Sequence, residues 1–282
     1  MRLSARFVLV LLIVSLLLAA CAAPTPQPAS PQPTSSQSST TSQSLVVFAA
    51  ASLTDAFQEL AEQFKAENPG VDVVFNFAGS QQLAQQLGQG APADLFASAN
   101  SAQMQAAIDV GRIISGTQQT FAGNRLVVVL PADNPAGIAG LQDLTQPGIK
   151  LVLAAKEVPV GGYALNFLEK ASASPDFAAD YEAAVLANVV SYEENVKAVL
   201  SKVLLGEADA GIVYSSDVGL DMADQAVRIA IPDELNTWAA YPIALIADAP
   251  NPDLARSFLA LVLSPEGQAV LASHGFTGAP SD

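Results

Sequence analysis

From Leu45 onward, two hydrophobic periods alternate along the chain. Leu45 to Ala50 is a short continuous apolar run containing Val46, Val47 and Phe48, the pattern of a strand buried on both faces. Leu53, Ala56, Phe57, Leu60, Ala61 and Phe64 then recur at helical spacing until Asn68-Pro69-Gly70 stops the helix. The same reading predicts strands at 71–77, 93–97, 126–130, 151–155, 210–214 and 241–247. It predicts helices at 82–87, 101–110, 163–171, 196–205, 254–263 and 266–273. Such alternation argues for an α/β protein whose largely parallel sheets carry helices on both faces. Pattern alone does not decide between one sheet and two lobes.

The first forty-four residues follow neither period. Arg2 and Arg6 precede an apolar run from Phe7 to Ala20, too short for a typical spanning helix and of the length of a signal-peptide core. The run ends Leu18-Ala19-Ala20-Cys21, small residues before a cysteine, which resembles the lipobox of bacterial lipoproteins. That resemblance implies cleavage before Cys21, lipid on its sulfur, and a body held outside the cytoplasm at the cell membrane through this anchor alone. Residues 22–44 are Pro, Ser, Thr, Gln and Ala with no charge and no aromatic ring. Such a segment cannot bury enough apolar area to offset chain entropy, so an extended tether is expected. The alternative reading is a secretory signal with an incidental cysteine.

Composition removes several function classes. The chain carries 27 acidic and 12 basic residues, a formal charge of −15. Loss of residues 1–21 would remove two arginines and no acid, leaving 10 basic residues and a charge of −17. Nucleic-acid binding needs clustered Lys and Arg and is excluded on this count. One Cys and one His exclude an intrachain disulfide, a thiolate cluster and the multi-histidine zinc sites of hydrolases.

Candidate chemistry sits where predicted strands hand over to helices. Four such places share small or hydroxyl residues: Ala49-Ala50-Ala51-Ser52, Phe77-Ala78-Gly79-Ser80, Val158-Pro159-Val160-Gly161-Gly162, and Glu194-Asn195. Open α/β sheets bind ligands beyond the carboxyl ends of their strands. Helix N-termini there present free N–H groups and partial positive charge. Several together make an anion site without Lys or Arg. Each residue also has a plainer role. Ser52 with Asp55 fits a capping box, Ser80 a turn, Gly161-Gly162 a loop, Asn195 an N-cap, and Tyr214 packing at a strand end. The conjunction favours the ligand site.

The blocks LVVFAAASLTDAF, VVFNFAGSQQLAQQL, GAPADLFASAN, GNRLVVV, EVPVGGYA, ENVKAVL, GIVYSSD and YPIALI occur in that order between Leu45 and Phe276. Together they resemble the molybdate-binding (ModA) component of bacterial ABC importers. The resemblance implies a two-lobed periplasmic-binding-protein fold of the second type, with a ligand cleft between lobes. Lobe one would be 45–125 with 240–282, and lobe two 126–239. It implies an oxyanion held by Ser52, Ser80, Val160, Val196 and Tyr214: hydroxyls and backbone N–H groups from lobe one, the backbone N–H groups of Val160 and Val196, and the Tyr214 phenol. It implies a molybdate or tungstate ligand, no cofactor, no side chain bound directly to the metal, a permease and its ATPase as partners, and a monomeric receptor. Members often carry Ser where this chain has Gly79 and Ala where it has Val160.

Other readings stay open at this stage: a receptor for sulfate or phosphate, a secreted hydrolase, or an adhesive surface lipoprotein. For the hydrolase there is no G-x-S-x-G elbow, and the only imidazole, His274, falls at the end of the last predicted helix.

Overall fold

The computed structural model describes residues 43–219 and 222–279. The expected signal peptide, Cys21 and the expected tether up to residue 42 lie outside the described residues. Strand β1 (Gln43–Ala50) starts two residues before the expected end of the tether. Gln43 and Ser44 already pair with Val71 and Asp72 of β2 (Val71–Ala78).

Among the described residues ten strands form two five-stranded sheets. The first sheet takes β1, β2, β3 (Leu95–Ala97), β4 (Gln119–Asn124) and β10 (Ala239–Leu245), in the order β2-β1-β3-β10-β4. The second takes β5 (Leu126–Pro131), β6 (Leu151–Ala154), β7 (Val189–Glu193), β8 (Ala210–Tyr214) and β9 (Ala226–Ala230), in the order β7-β6-β8-β5-β9. Each sheet with its helices is a lobe. In the first, β1 pairs in parallel with β2 and β3, while β10 is antiparallel to both β3 and β4. In the second, β6 pairs in parallel with β7 and β8, while β5 is antiparallel to β8 and β9. Four strands of each sheet therefore run one way and a single strand opposes them. The opposing strand is in each case the one that has just crossed from the other lobe. Arg125 alone separates β4 from β5 on the way out, and residues 231–238 lead from β9 to β10 on the way back.

The continuous apolar runs of the central strands are explained by helices on both faces. Val47, Ala49, Leu95 and Ala97 face α1 (Thr54–Glu67), α7 (Pro252–Leu263) and α8 (Pro265–Ser273), with Phe57, Phe64 and Phe258 packed edge to face. The alternate residues Phe48 and Phe96 face Leu83 and Leu87 of α2 (Ser80–Gly88) and Met104 of α3 (Ser101–Asp109). Each such fully buried Leu or Phe contributes roughly 1.5–3 kcal/mol of transfer free energy. In the second lobe α4 (Pro159–Ala173) and α6 (Val196–Leu204) cover the sheet, and α5 (Tyr181–Ala187) packs on α4.

Four elements were not anticipated: β4, α5, β7 and β9. Three of them are sheet edges. Each leaves part of its length in water: β4 exposes its first two residues, β9 three of its five, and in β7 Val190 and Tyr192 stay more than half exposed. An edge strand needs no continuous apolar run. Helix α4 starts at Pro159 rather than 163, so Gly161 and Gly162 form its first turn and not a loop. Proline at the first helical position explains the start. Gly161 explains the close approach: a Cβ there would stand 2.1 Å from the Ala155 carbonyl oxygen at the end of β6.

Candidate functional site

Six chain segments at or beyond the carboxyl ends of β1, β2, β3, β6, β7 and β8 surround one small cavity with about 200 Å³ of empty space, its mouth included. Ser52, Ser80, Val160, Val196 and Tyr214 all line it, although they span positions 52 to 214. The remaining lining is Ala, Gly, Val, Pro and Asn195, without a carboxylate, Lys, Arg or His.

Ser80 is the first residue of α2, directly beyond the end of β2. Its Oγ accepts the Ala99 N–H at 3.0 Å, which leaves the hydroxyl proton free to donate. Ser52 lies in a 3-10 turn, Ala51–Leu53, between β1 and α1. The expected capping box is absent. Helix α1 begins at Thr54 and has no side-chain cap, and the Ser52 Oγ lies 2.8 Å from the Tyr241 hydroxyl. Asp55, the other half of that box, pairs instead with Lys197 Nζ at 2.8 Å.

The second lobe supplies backbone. Pro159 has no N–H, so Val160 carries the first amide donor of α4, and α4 offers no side-chain cap that competes for it. Asn195 does cap α6: its Oδ1 accepts the Ala198 N–H at 3.0 Å, which leaves the Val196 N–H at the very start of the helix. Tyr214 ends β8. Its hydroxyl is buried with no hydrogen-bond partner among the described residues, and the residue is 1% exposed. Burial pushes its pKa well above the usual phenol range, with smaller contributions from Tyr241, Tyr163 and Asp217, so it stays a donor. A buried donor left unpaired costs roughly 1–3 kcal/mol, which an incoming acceptor would recover.

One carboxylate stands behind this site. The Asp217 side chain is fully buried; Oδ2 accepts the Tyr214 N–H at 3.1 Å, and Oδ1 faces Lys197 Nζ at 3.7 Å without a hydrogen bond. Burial raises its pKa to about 6, against the opposing pull of Lys197 and the Tyr214 N–H.

The lobes touch around the cavity. Gln81 Nε2 donates to the Glu194 carbonyl at 2.9 Å, Gln82 Nε2 to the Glu194 carboxylate at 3.0 Å, and Gln103 Nε2 to the Glu157 carbonyl at 3.3 Å. This contact accounts for Gly79. A Cβ there would stand 2.5 Å from the same Glu194 carbonyl, so the serine common in the resembling family has no room. His274 Nε2 lies 2.8 Å from Glu59 Oε2 on α1 and forms no pair with a serine. Among the described residues no helix is long and apolar enough to cross a membrane, and no group of three or more His, Cys, Asp or Glu could hold a metal ion.

Tyr241, Asn124, Lys197 and Asp217 belong to this neighbourhood and were not singled out from sequence. Tyr241 and Asn124 sit on crossover strands, so only the lobe exchange brings them to Ser52. Asp217 lay within the GIVYSSD block and could have been questioned as an acid beside a run of apolar strand residues.

Residues 45–277 match the family of bacterial extracellular solute-binding proteins. The molybdate-binding protein ModA of Mycobacterium tuberculosis is 43% identical over 235 residues, covering 83% of this chain and 85% of that protein. This chain belongs to the molybdate-binding (ModA) family of solute-binding proteins. Among solved structures, the periplasmic molybdate-binding protein of Azotobacter vinelandii shares the fold with a TM-score of 0.72 at 20% identity, covering 84% of this chain and all of that one. The sulfate-binding protein SubI of Mycobacterium tuberculosis does so with a TM-score of 0.73 at 19% identity, covering 84% and 87%. The exchanged strands thus belong to the two-lobed type II periplasmic-binding-protein fold. Within that fold a molybdate-binding and a sulfate-binding protein match this chain equally well.

Proposed function

We propose that this protein captures molybdate or tungstate outside the cytoplasm and delivers it to the permease of an ABC transporter, powered by its ATPase. Ser52 and Ser80 donate from lobe one (45–125 and 240–282). The Val160 and Val196 N–H groups and the Tyr214 hydroxyl donate from lobe two (126–239). Cys21 carries the lipid, residues 22–42 form the tether, and the receptor works as a monomer. It does no chemistry on the anion.

The observation that carries this reading is the donor-only character of the cavity, summed up in the unpartnered Tyr214 hydroxyl. An unprotonated tetrahedral dianion only accepts hydrogen bonds. Phosphate, protonated near neutral pH, also needs an acceptor, and the lining holds no carboxylate to take its proton. Neutral donors avoid stranding a buried Lys or Arg when the site empties. Sulfate is the second reading, favoured by the equal fold match to a sulfate-binding protein. It has the same hydrogen-bond character and differs in size.

Thermal unfolding of residues 22–282 with molybdate, tungstate, sulfate or phosphate tests this. A ligand at ~1,000 times its dissociation constant adds ~4 kcal/mol, roughly 8–16 °C for a body of this size. Shifts with molybdate and tungstate alone support the reading, and a shift with sulfate alone replaces the ligand. No shift with any of the four, in protein shown to be anion-free, overturns the oxyanion reading.

A further inference from the structure

Ser52 is useful to an anion only if its proton points into the cavity, and its one hydrogen-bonding neighbour, the Tyr241 hydroxyl, could either give or take that proton. The groups behind Tyr241 settle the direction. Asn124 Oδ1 accepts the Arg125 N–H at 2.9 Å and the Ser215 hydroxyl at 2.9 Å. Its amide nitrogen, which has no lone pair to offer, therefore faces the Ser216 Oγ at 2.7 Å and the Tyr241 hydroxyl at 3.5 Å, the outer limit of a hydrogen bond. The Tyr241 oxygen thus receives from Asn124, and its own proton needs an acceptor. Among the described residues Ser52 Oγ, at 2.8 Å, is the acceptor in hydrogen-bond geometry, while the Tyr214 hydroxyl makes no hydrogen bond.

Building on the oxyanion reading of this site, we infer that Tyr241 is a positioning residue: held from behind by Asn124, it donates to Ser52 Oγ and so turns the Ser52 proton into the cavity. The ring is well placed to hold that hydroxyl still. It is fully buried and packs edge-on against Phe121, Tyr214 and Phe276, with ring centres 5.3–6.4 Å apart. Asn124 ends the outgoing crossover strand and Tyr241 lies on the returning one, where Ala239 pairs with Asn124. Both connections between the lobes therefore end in one donor chain, Asn124 to Tyr241 to Ser52, aimed at the site.

A double-mutant cycle tests the inference, read by calorimetric titration of anion-free protein with molybdate. Tyr241→Phe removes one oxygen from an aromatic cluster and is expected to weaken binding about tenfold, with the unliganded melting temperature moving by only a few degrees. Ser52→Ala is expected to weaken it about 10- to 100-fold. In the Ser52→Ala background Tyr241→Phe should change affinity by less than about twofold, because the proton it directs is gone. A merely structural role for Tyr241 would instead give losses that multiply. That result, or unchanged affinity in Tyr241→Phe alone, overturns the inference. Should Tyr241→Phe not fold, Asn124→Ser, too short to reach Tyr241, should weaken binding about threefold in the native background and not at all beside Ser52→Ala. Wild-type protein that takes sulfate in place of molybdate overturns the ligand assignment, and the same cycle read with sulfate still judges Tyr241. Wild-type protein that takes no oxyanion overturns both.

Discussion

The two lobes face the same cavity with different chemistry. Lobe one presents side-chain hydroxyls, Ser52 and Ser80, each held by a second hydrogen bond to its own lobe. Lobe two presents main chain at two of its three contacts, the starts of α4 and α6, with valine side chains that belong to the core. A hydroxyl donor disappears with a single substitution. A backbone donor survives nearly any change of side chain and fails only when the amide itself is removed. The lobes should therefore respond in opposite ways to the same mild mutation.

The largest effect is expected at Ser80. Ser80→Ala deletes the proposed donor to the anion and also strands the Ala99 N–H, whose only acceptor among the described residues is the Ser80 Oγ. Binding should weaken by ~1.5–3 kcal/mol, and the unliganded protein should lose a further ~1–3 kcal/mol of stability. Titration and denaturant melts read the two losses separately. A variant that loses neither would show that the hydroxyl is not a donor to the cavity.

Next comes Val196, where two substitutions should part company. Val196→Pro removes the N–H at the first position of α6, where proline is well tolerated because no helical hydrogen bond is lost. It should cost ~1.5–3 kcal/mol of affinity. Val196→Ala removes buried methyl groups and lowers stability, yet keeps the amide, so affinity should stay within about threefold. Equal affinities for the two variants would remove the backbone donor from the site and erase the contrast between the lobes.

The same contrast explains what could be read in advance. Central strands such as β1 and β8 announced themselves because burial on both faces demands an unbroken apolar run. The edge strands β4, β7 and β9 did not, since part of each faces water and breaks the apolar run. The fold class and the five lining positions were legible because strand ends and helix starts mark themselves with small residues, Pro and Asn, and because the order of the blocks carried a family resemblance. Ser52 was half legible. The turn was visible, but the capping box was the wrong local account, as a partner 189 positions away took the hydroxyl. Nothing local to Tyr241 or Asn124 could signal their place, which follows from strands exchanged between lobes. Gly79 became intelligible only when the Glu194 carbonyl of the opposite lobe was found in the space a side chain would need.

The smallest expected effect concerns a carboxylate buried in each lobe, where two aspartates differ in their hydrogen bonds. In lobe one, both oxygens of Asp94 accept backbone N–H groups, from Val46 at 2.8 Å and Asn251 at 2.6 Å. In lobe two, Asp217 has one such bond and a lysine at 3.7 Å, too little to offset its desolvation. Its folded pKa stands at about 6, above the ordinary 3.8. The sign follows: the folded state holds this proton more tightly than the unfolded chain does. The stability this confers is fully present below pH 3.8 and is lost as pH rises through about 6. Between pH 5 and pH 7 the loss amounts to about 1.4 kcal/mol. Glu193 and Asp143 are shifted the other way, so their contributions change below this window. Asp217→Asn keeps an acceptor for the Tyr214 N–H and has nothing to titrate. Denaturant melts at pH 5, 6 and 7 should show the native protein weakening by this amount relative to the variant. Parallel pH profiles for the two would mean that Lys197 balances the Asp217 carboxylate after all.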